Sequence, residues 1–115
     1  MSYEYDAEVV RVIDGDTVRL RVTRDFDFGF YVKERKTYEG NFRLLGINAP
    51  ELYGQVTDFG LKSKNRLIEL LAGKAVKAIT YKPDKYGRWL VELFVDGINV
   101  NQQLVTEGFA ITSTY

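Results

Sequence analysis

Val12-Ile13-Asp14-Gly15-Asp16-Thr17-Val18-Arg19-Leu20-Arg21-Val22 decides the fold. Its second half alternates strictly, with Val18, Leu20 and Val22 on one side and Thr17, Arg19 and Arg21 on the other. That is the period of a half-buried strand. Upstream, Ala7, Val9, Val10 and Ile13 repeat the pattern more loosely, and Asp14-Gly15 between the two runs is a turn signal. Two strands joined in this way form a hairpin and place Asp16 just beyond the turn, at a strand end.

Outward from this hairpin the chain turns aromatic and charged over residues 25–38, where Gly29 suits a bend and Phe30 to Tyr38 can pair back as a long ribbon. Phe42 to Ile47 reads as a third core strand, stopped by Pro50, which has no N–H for a ladder. Thr57 or Asp58 can cap a helix to about Ala72, ended by Gly73. Leu61, Ile68 and Leu71 lie on one face of it, with Leu67 and Leu70 widening the stripe. Lys74 to Tyr81 and Trp89 to Val95 are strands four and five. Asp96-Gly97 turns out of the last strand, and Asn99 caps a short helix that ends at Glu107 before Gly108. Three strands, a helix, two strands and a helix predict a mainly β, α+β fold. The expected architecture is a five-stranded OB-type Greek-key barrel with an extended ribbon between strands 2 and 3. Residues 1–115 are expected to form a single domain.

The chain has 16 basic and 16 acidic residues, no His and no Cys. Disulfides, thiolate nucleophiles, thiolate zinc sites and the usual neutral-pH base are therefore excluded. Neutral net charge supplies no global attraction for nucleic acid, although a local basic patch is compatible with it. No apolar stretch approaches a membrane span or a leader peptide, so the expected setting is cytoplasmic, without membrane association. What remains for chemistry is concentrated in four segments: Asp14-Gly15-Asp16-Thr17, Arg43, Asn48-Ala49-Pro50-Glu51 and Asp84-Lys85-Tyr86-Gly87-Arg88. They collect oxygen ligands suited to a hard cation and two arginines suited to a phosphate.

Taken singly, each segment has a plain structural reading. Asp14-Gly15-Asp16 is most often a hairpin turn, Asn48 to Glu51 a strand-ending turn, and Lys85 to Arg88 a solvated hairpin tip. Arg43 lies among Phe42, Leu44 and Leu45. If its face points inward, it needs an anionic partner. The aromatics Phe26, Phe28, Phe30, Tyr31 and Tyr38 suit either packing on the barrel or a stacking wall or dimer edge.

In this order and on this topology, the segments resemble the staphylococcal nuclease (thermonuclease) family. The resemblance is carried by Val12 to Val18, Phe42 to Glu51 and Asp84 to Arg88, with weaker agreement over Asp96 to Asn101 and Gly108 to Ala110. It implies a Ca2+-dependent endonuclease that hydrolyses DNA, and RNA, at the 5′ P–O bond; a single-stranded partner and a monomeric chain are the accompanying expectations. It assigns Asp16 as a direct metal ligand, Ala49 as a ligand through its carbonyl, and Glu51 as the residue that positions or deprotonates the attacking water. Arg43 and Arg88 match the phosphate-binding arginines, and Lys85 and Tyr86 match contacts to the nucleotide's terminal phosphate.

Three departures from the family pattern stand out. Asn48 occupies the place of a second ligating aspartate, the strand 2–strand 3 segment is longer, and the type enzyme continues into a third helix beyond the point matching Tyr115. An amide oxygen still ligates Ca2+, but one carboxylate in place of two weakens the site. The expectation is thus a nuclease with activity lowered by Asn48. The alternatives are a weakly active or inactive OB module that binds single-stranded nucleic acid, or a protein-interaction domain that uses the ribbon.

Overall fold

The computed structural model describes residues 3–27, 29–30, 33–49, 58–81 and 89–113; Glu51, Lys85, Tyr86 and Arg88 lie outside them. Strand β1 (Tyr3–Asp14) pairs antiparallel with β2 (Thr17–Asp27), and β2 with β3 (Lys33–Leu44). A two-residue strand, β4 (Ile47–Asn48), precedes helix α1 (Asp58–Leu71). Next come β5 (Val76–Tyr81), β6 (Trp89–Val95), β7 (Ile98–Asn99), helix α2 (Val100–Thr106) and β8 (Ile111–Thr112). The order β3-β2-β1-β5-β6 is closed on itself by a parallel pairing of β3 with β6. The result is a five-stranded mixed barrel with two helices, as the sequence predicts.

Alternation on β2 is as expected: Val18, Leu20 and Val22 are buried. They meet Phe42 and Leu44 of β3, Ala78 of β5 and Leu93 of β6, with Leu67 and Leu104 from the helices. On β1 the phase changes partway. The inward-leaning residues are Tyr5, Ala7 and Val9, then Val12 and Asp14, because the register with β2 slips between Val9 and Arg11. Such a bulge inserts one unpaired residue and reverses which side chains face inward. Val10 is left exposed, Val12 rather than Ile13 is the core residue, and the carboxyl of Asp14 is turned into the protein.

The ribbon between the second and third strands exists. β2 and β3 stay paired from Thr17 opposite Arg43 to Asp27 opposite Lys33, well past the barrel wall. Gly29 takes the bend with φ 79°. Its outer face is a ladder of opposite charges, Arg19 and Arg21 with Glu39, and Arg35 with Asp25.

The expected face of α1 needs correction. Its buried residues are Gly60, Ser63, Leu67 and Leu71, whereas Leu61 and Ile68 are exposed. The helix packs so closely on the first hairpin that small residues are required where they meet. A Cβ on Gly15 would stand 2.7 Å from the Cβ of Ala49 and 2.8 Å from that of Ser63. On α2, Asn99 caps the N-terminus by accepting from the Gln102 N–H at 3.0 Å, and Gly108 follows its end at φ 82°, both as predicted. A bidentate pair from Arg66 to Glu107 ties α1 to the end of α2.

Candidate active site at the barrel rim

The first hairpin, the end of β3 and the short β4 meet at one rim. Gly15 and Asp16 form the tip between β1 and β2, so Asp16 lies in the turn itself. Its N–H donates to Asp14 Oδ1 at 3.2 Å, which folds the tip inward. Thr17 lies opposite Arg43 in the β2–β3 ladder, and the Leu44 N–H donates to the Asp16 carbonyl at 2.8 Å. After Leu44 the chain must reverse. Gly46 does this at φ 78°, where a Cβ would be strained. The turn delivers Ile47 and Asn48 to β8.

This construction places Asp16, Arg43, Asn48 and Ala49 around one point. Arg43 Nη1 donates to Asp16 Oδ1 at 2.8 Å, and both side chains are almost fully buried. Arg43 Nη2 donates to the Asn48 side-chain oxygen and, at 3.4 Å, to the Ile47 carbonyl. Asp16 Oδ1 also accepts from the Thr17 hydroxyl at 3.1 Å, and Oδ2 accepts from the Ala49 N–H at 2.8 Å. The guanidinium can only donate, so it is the Asn48 oxygen that faces Arg43, and Asn48 Nδ2 is left to donate to the Ser113 hydroxyl at 3.2 Å. A buried charge is tolerable only when paired and hydrogen-bonded. Here the guanidinium and the carboxylate pair with each other.

Asp14 adds a second acid to the same corner. Burial pushes its pKa up from 3.8 to about 6, and the neighbouring Asp16 carboxylate adds to the rise. Arg43 thus faces one carboxylate and one amide oxygen, with the Asp14 carboxyl behind Asp16. Among the described residues no three acidic or imidazole groups gather as a metal cluster. The oxygens of Asp16 and Asn48 nevertheless converge on a single positive group, the guanidinium of Arg43.

Sequence reasoning anticipated the convergence of Asp16, Arg43, Asn48 and Ala49 but not the direct pairing of Arg43 with the proposed ligands. It expected the arginine across from the cation, on the phosphate. The supporting roles of Ser63 and Ser113 were missed, and Thr17 was quoted within its segment without a role of its own. A serine in a helix and another in a terminal segment carry no motif, and only their contacts mark them. Asn101 was quoted only within a weaker string. It is buried, donates to the carbonyls of Leu45 and Val91 at 3.0 Å, and accepts from the Leu93 N–H at 3.2 Å. It thereby pins the β3 end from which the Arg43–Asn48 turn departs.

Comparison with known proteins identifies the family. The family model for "Staphylococcal nuclease homologue" matches residues 41–115. An "Uncharacterized endonuclease" of Escherichia coli O157:H7 is 37% identical over 103 residues, covering 89% of this chain and 57% of that protein. A "Probable staphylococcal-like nuclease CAN1" of Oryza sativa subsp. japonica is 35% identical over 68 residues, 59% of this chain and 20% of that protein. A "Staphylococcal-like nuclease CAN1" of Arabidopsis thaliana is 29% identical over 68 residues, 59% of this chain and 20% of its own length. The chain spans little more than half the length of the bacterial relative and a fifth of each plant one.

Proposed function

This chain belongs to the staphylococcal nuclease homologue family, and on that premise we propose that it is a Ca2+-dependent nuclease that hydrolyses phosphodiester bonds of DNA and RNA. The observation that carries the reading is the convergence of Asp16 Oδ1 and the Asn48 side-chain oxygen on one guanidinium at the barrel rim. Two oxygens that both face a cation of the chain are placed to face a cation from solution. The donor set, a carboxylate, an amide oxygen and the Ala49 carbonyl, is the hard-oxygen chemistry that Ca2+ takes. In donor type these residues suit the metal. When bound, such an ion neutralises phosphate charge and lowers the pKa of a nearby water.

The side chains supply the rest. Arg43 has a planar fork that matches two phosphate oxygens as well as it matches Asp16 and Asn48. A phosphate at the rim competes for it and uncovers the ligand oxygens. Thr17 and the Ala49 N–H hold the Asp16 carboxylate in place throughout. Arg43 keeps the Asn48 oxygen turned toward it, and Ser113 receives the amide N–H on the other side. By their match to the family motif, Glu51 orients the attacking water, Arg88 joins Arg43 on the phosphate, and Lys85 and Tyr86 hold the nucleotide's terminal phosphate.

The test is cleavage of an end-labelled single-stranded oligonucleotide and of plasmid DNA, in Ca2+ and in excess chelator, by the wild type and by Asp16→Asn. Cleavage confined to the wild type in Ca2+ supports the reading; none under any condition rejects it. One observation favours a second reading, a module that binds single strands without cutting them. Only one carboxylate of the proposed ligand set is present, and Arg43 is already engaged by it. In that case the oligonucleotide is retained intact.

A further inference from the structure

We propose that the inner face of the β2–β3 ribbon is a second nucleic-acid contact, a groove that stacks single-stranded bases on Trp89 and Tyr38 and holds the phosphates between them with Arg24 and Lys36. The inference rests on the nucleic-acid reading above and adds to it a site remote from Asp16. β2 alternation carries the core face, Val18, Leu20 and Val22, straight on to Arg24 and Phe26 once the ribbon leaves the barrel. Across the ladder, Val22 faces Tyr38 and Arg24 faces Lys36. The overhang roofs a hollow of about 260 Å3 floored by Val22 and Phe42, with Tyr5, Tyr38 and Trp89 on its walls. That is below the roughly 300–1,000 Å3 of pockets that enclose a drug-sized molecule, and suits a flat ring laid against an open wall.

Charge identifies the occupant. The ribbon's outer face pairs its arginines with Glu8, Glu39 and Asp25, whereas the described residues lining the hollow include two cations and no carboxylate, Glu34 standing beyond them on the same face. Among the described residues Arg24 meets only aromatic rings, those of Tyr3 and Phe26, at 5.7 and 5.2 Å from their centroids. Lys36 is drawn to Glu34 at 2.5 Å, a surface pair of little worth that a phosphate can replace. Tyr38 is 52% and Trp89 40% exposed, so part of each side chain is open to a ligand; Tyr38 lies over Gly40 and meets Phe42 with the ring planes at 85°. Interleaved rings and cations on one groove are the composition of a single-strand platform. A second copy of the chain seated symmetrically here would set the same cations against each other. A duplex keeps its bases stacked inside and cannot offer them to the rings. Phe42 lines this groove and Arg43 turns the other way, so only a strand of several nucleotides engages both places.

Trp89 is the chain's single tryptophan, so its fluorescence reads the groove directly. The experiment titrates the full chain with oligo(dT) of about 15 nucleotides in low salt and excess chelator, which keeps the strand intact. Fluorescence and anisotropy of a labelled oligonucleotide are followed together. The expected result is quenching of Trp89 by the single strand and not by a duplex of equal length. Arg24→Glu with Lys36→Glu should weaken binding at least tenfold. It should also lower the slope of log affinity against log salt by about 1.4, the share of two phosphate contacts.

Binding without quenching, or a double variant with unchanged affinity and slope, overturns the proposal. So does self-association of the wild type, absent from the variant, that oligonucleotide does not reverse. Cleavage of a chromogenic mononucleotide diester by the wild type in Ca2+ reports the nuclease reading separately, because that substrate is too short for the groove. No cleavage with quenching intact removes the nuclease and leaves the groove, whereas cleavage without quenching removes the groove alone.

Discussion

Asn48→Asp places a second carboxylate where the amide oxygen now faces Arg43, and its consequences can be worked from the rim. Without metal, one guanidinium then serves two carboxylates, that of Asp16 and the introduced one, with Asp14 ionised beside them above about pH 6. The bond from Asn48 Nδ2 to Ser113 is lost, although the serine hydroxyl can turn to donate to the new carboxylate. Surplus negative charge in a half-buried corner should lower stability by about 1–2 kcal/mol at pH 7.5. With metal the sign reverses. Ligand charge tunes oxygen-ligand calcium sites by decades, so one added carboxylate should move Kd from about 1 mM to about 0.1–0.01 mM. At about 10 mM Ca2+, ligand binding stabilises the native chain by RT ln(1 + [L]/Kd). That gives about 1.4 kcal/mol for the wild type and about 2.7–4.1 kcal/mol for the variant. For a chain of this size the difference amounts to roughly 5–10 °C in the calcium-induced rise of Tm. Thermal unfolding of both proteins with and without Ca2+, with Mg2+ as control, measures it. An equal calcium-induced rise in the two proteins would refute the claim that residue 48 faces the metal.

Three further outcomes follow from the same contacts. Asp14 has a folded pKa near 6 against 3.8 ordinarily, so its ionisation opposes folding. The penalty is absent below about pH 4, grows to about pH 6 and is constant above. Asp14→Asn should therefore unfold at higher urea at pH 8, by about 1–2 kcal/mol, and match the wild type at pH 4. Arg66 holds the Glu107 carboxyl down from 4.5 to about 2, with Gln103 assisting. That pair's contribution is present above pH 4.5 and lost as pH falls toward 2. The stability gap between wild type and Glu107→Gln should close over that window, and a constant gap would assign it to packing. Gly15→Ala sets a methyl 2.7 Å from Ala49 Cβ and 2.8 Å from Ser63 Cβ. Overpacking of that kind costs about 1–3 kcal/mol, and the displaced Ala49 should weaken calcium binding as well, measured by calorimetry.

The barrel was legible because its signals are local. β2 alternates without interruption, Asp14-Gly15 marks a turn, Asn99 and Gly108 bracket a helix, and each does in the structure what its residue type favours. The departures come from contacts distant in sequence. The bulge at Val10 has no mark in composition, yet it turns Asp14 inward and makes Val12 the core residue. Helix α1 buries Gly60 and Ser63 rather than Leu61 and Ile68, because the Gly15 tip and Ala49 lie against it too closely for large side chains. A hydrophobic count along the helix cannot see what the partner surface admits. At the site, the resemblance to the nuclease family was enough to gather Asp16, Arg43, Asn48 and Ala49. The Arg43 bridge between the proposed ligands needed coordinates, since a strand arginine has several carboxylates in reach of its topology.

The central claim is that Arg43 caps two ligand oxygens and passes to the substrate's phosphate. It is tested most directly by the cleavage rate of a single-stranded oligonucleotide in Ca2+ for wild type and Arg43→Lys, with circular dichroism to show that the variant is folded. Lysine keeps the charge beside Asp16 but not the planar fork. The account predicts a folded variant slowed by roughly 10²–10³, the usual loss for one transition-state donor. A folded Arg43→Lys that cuts at the wild-type rate would contradict it.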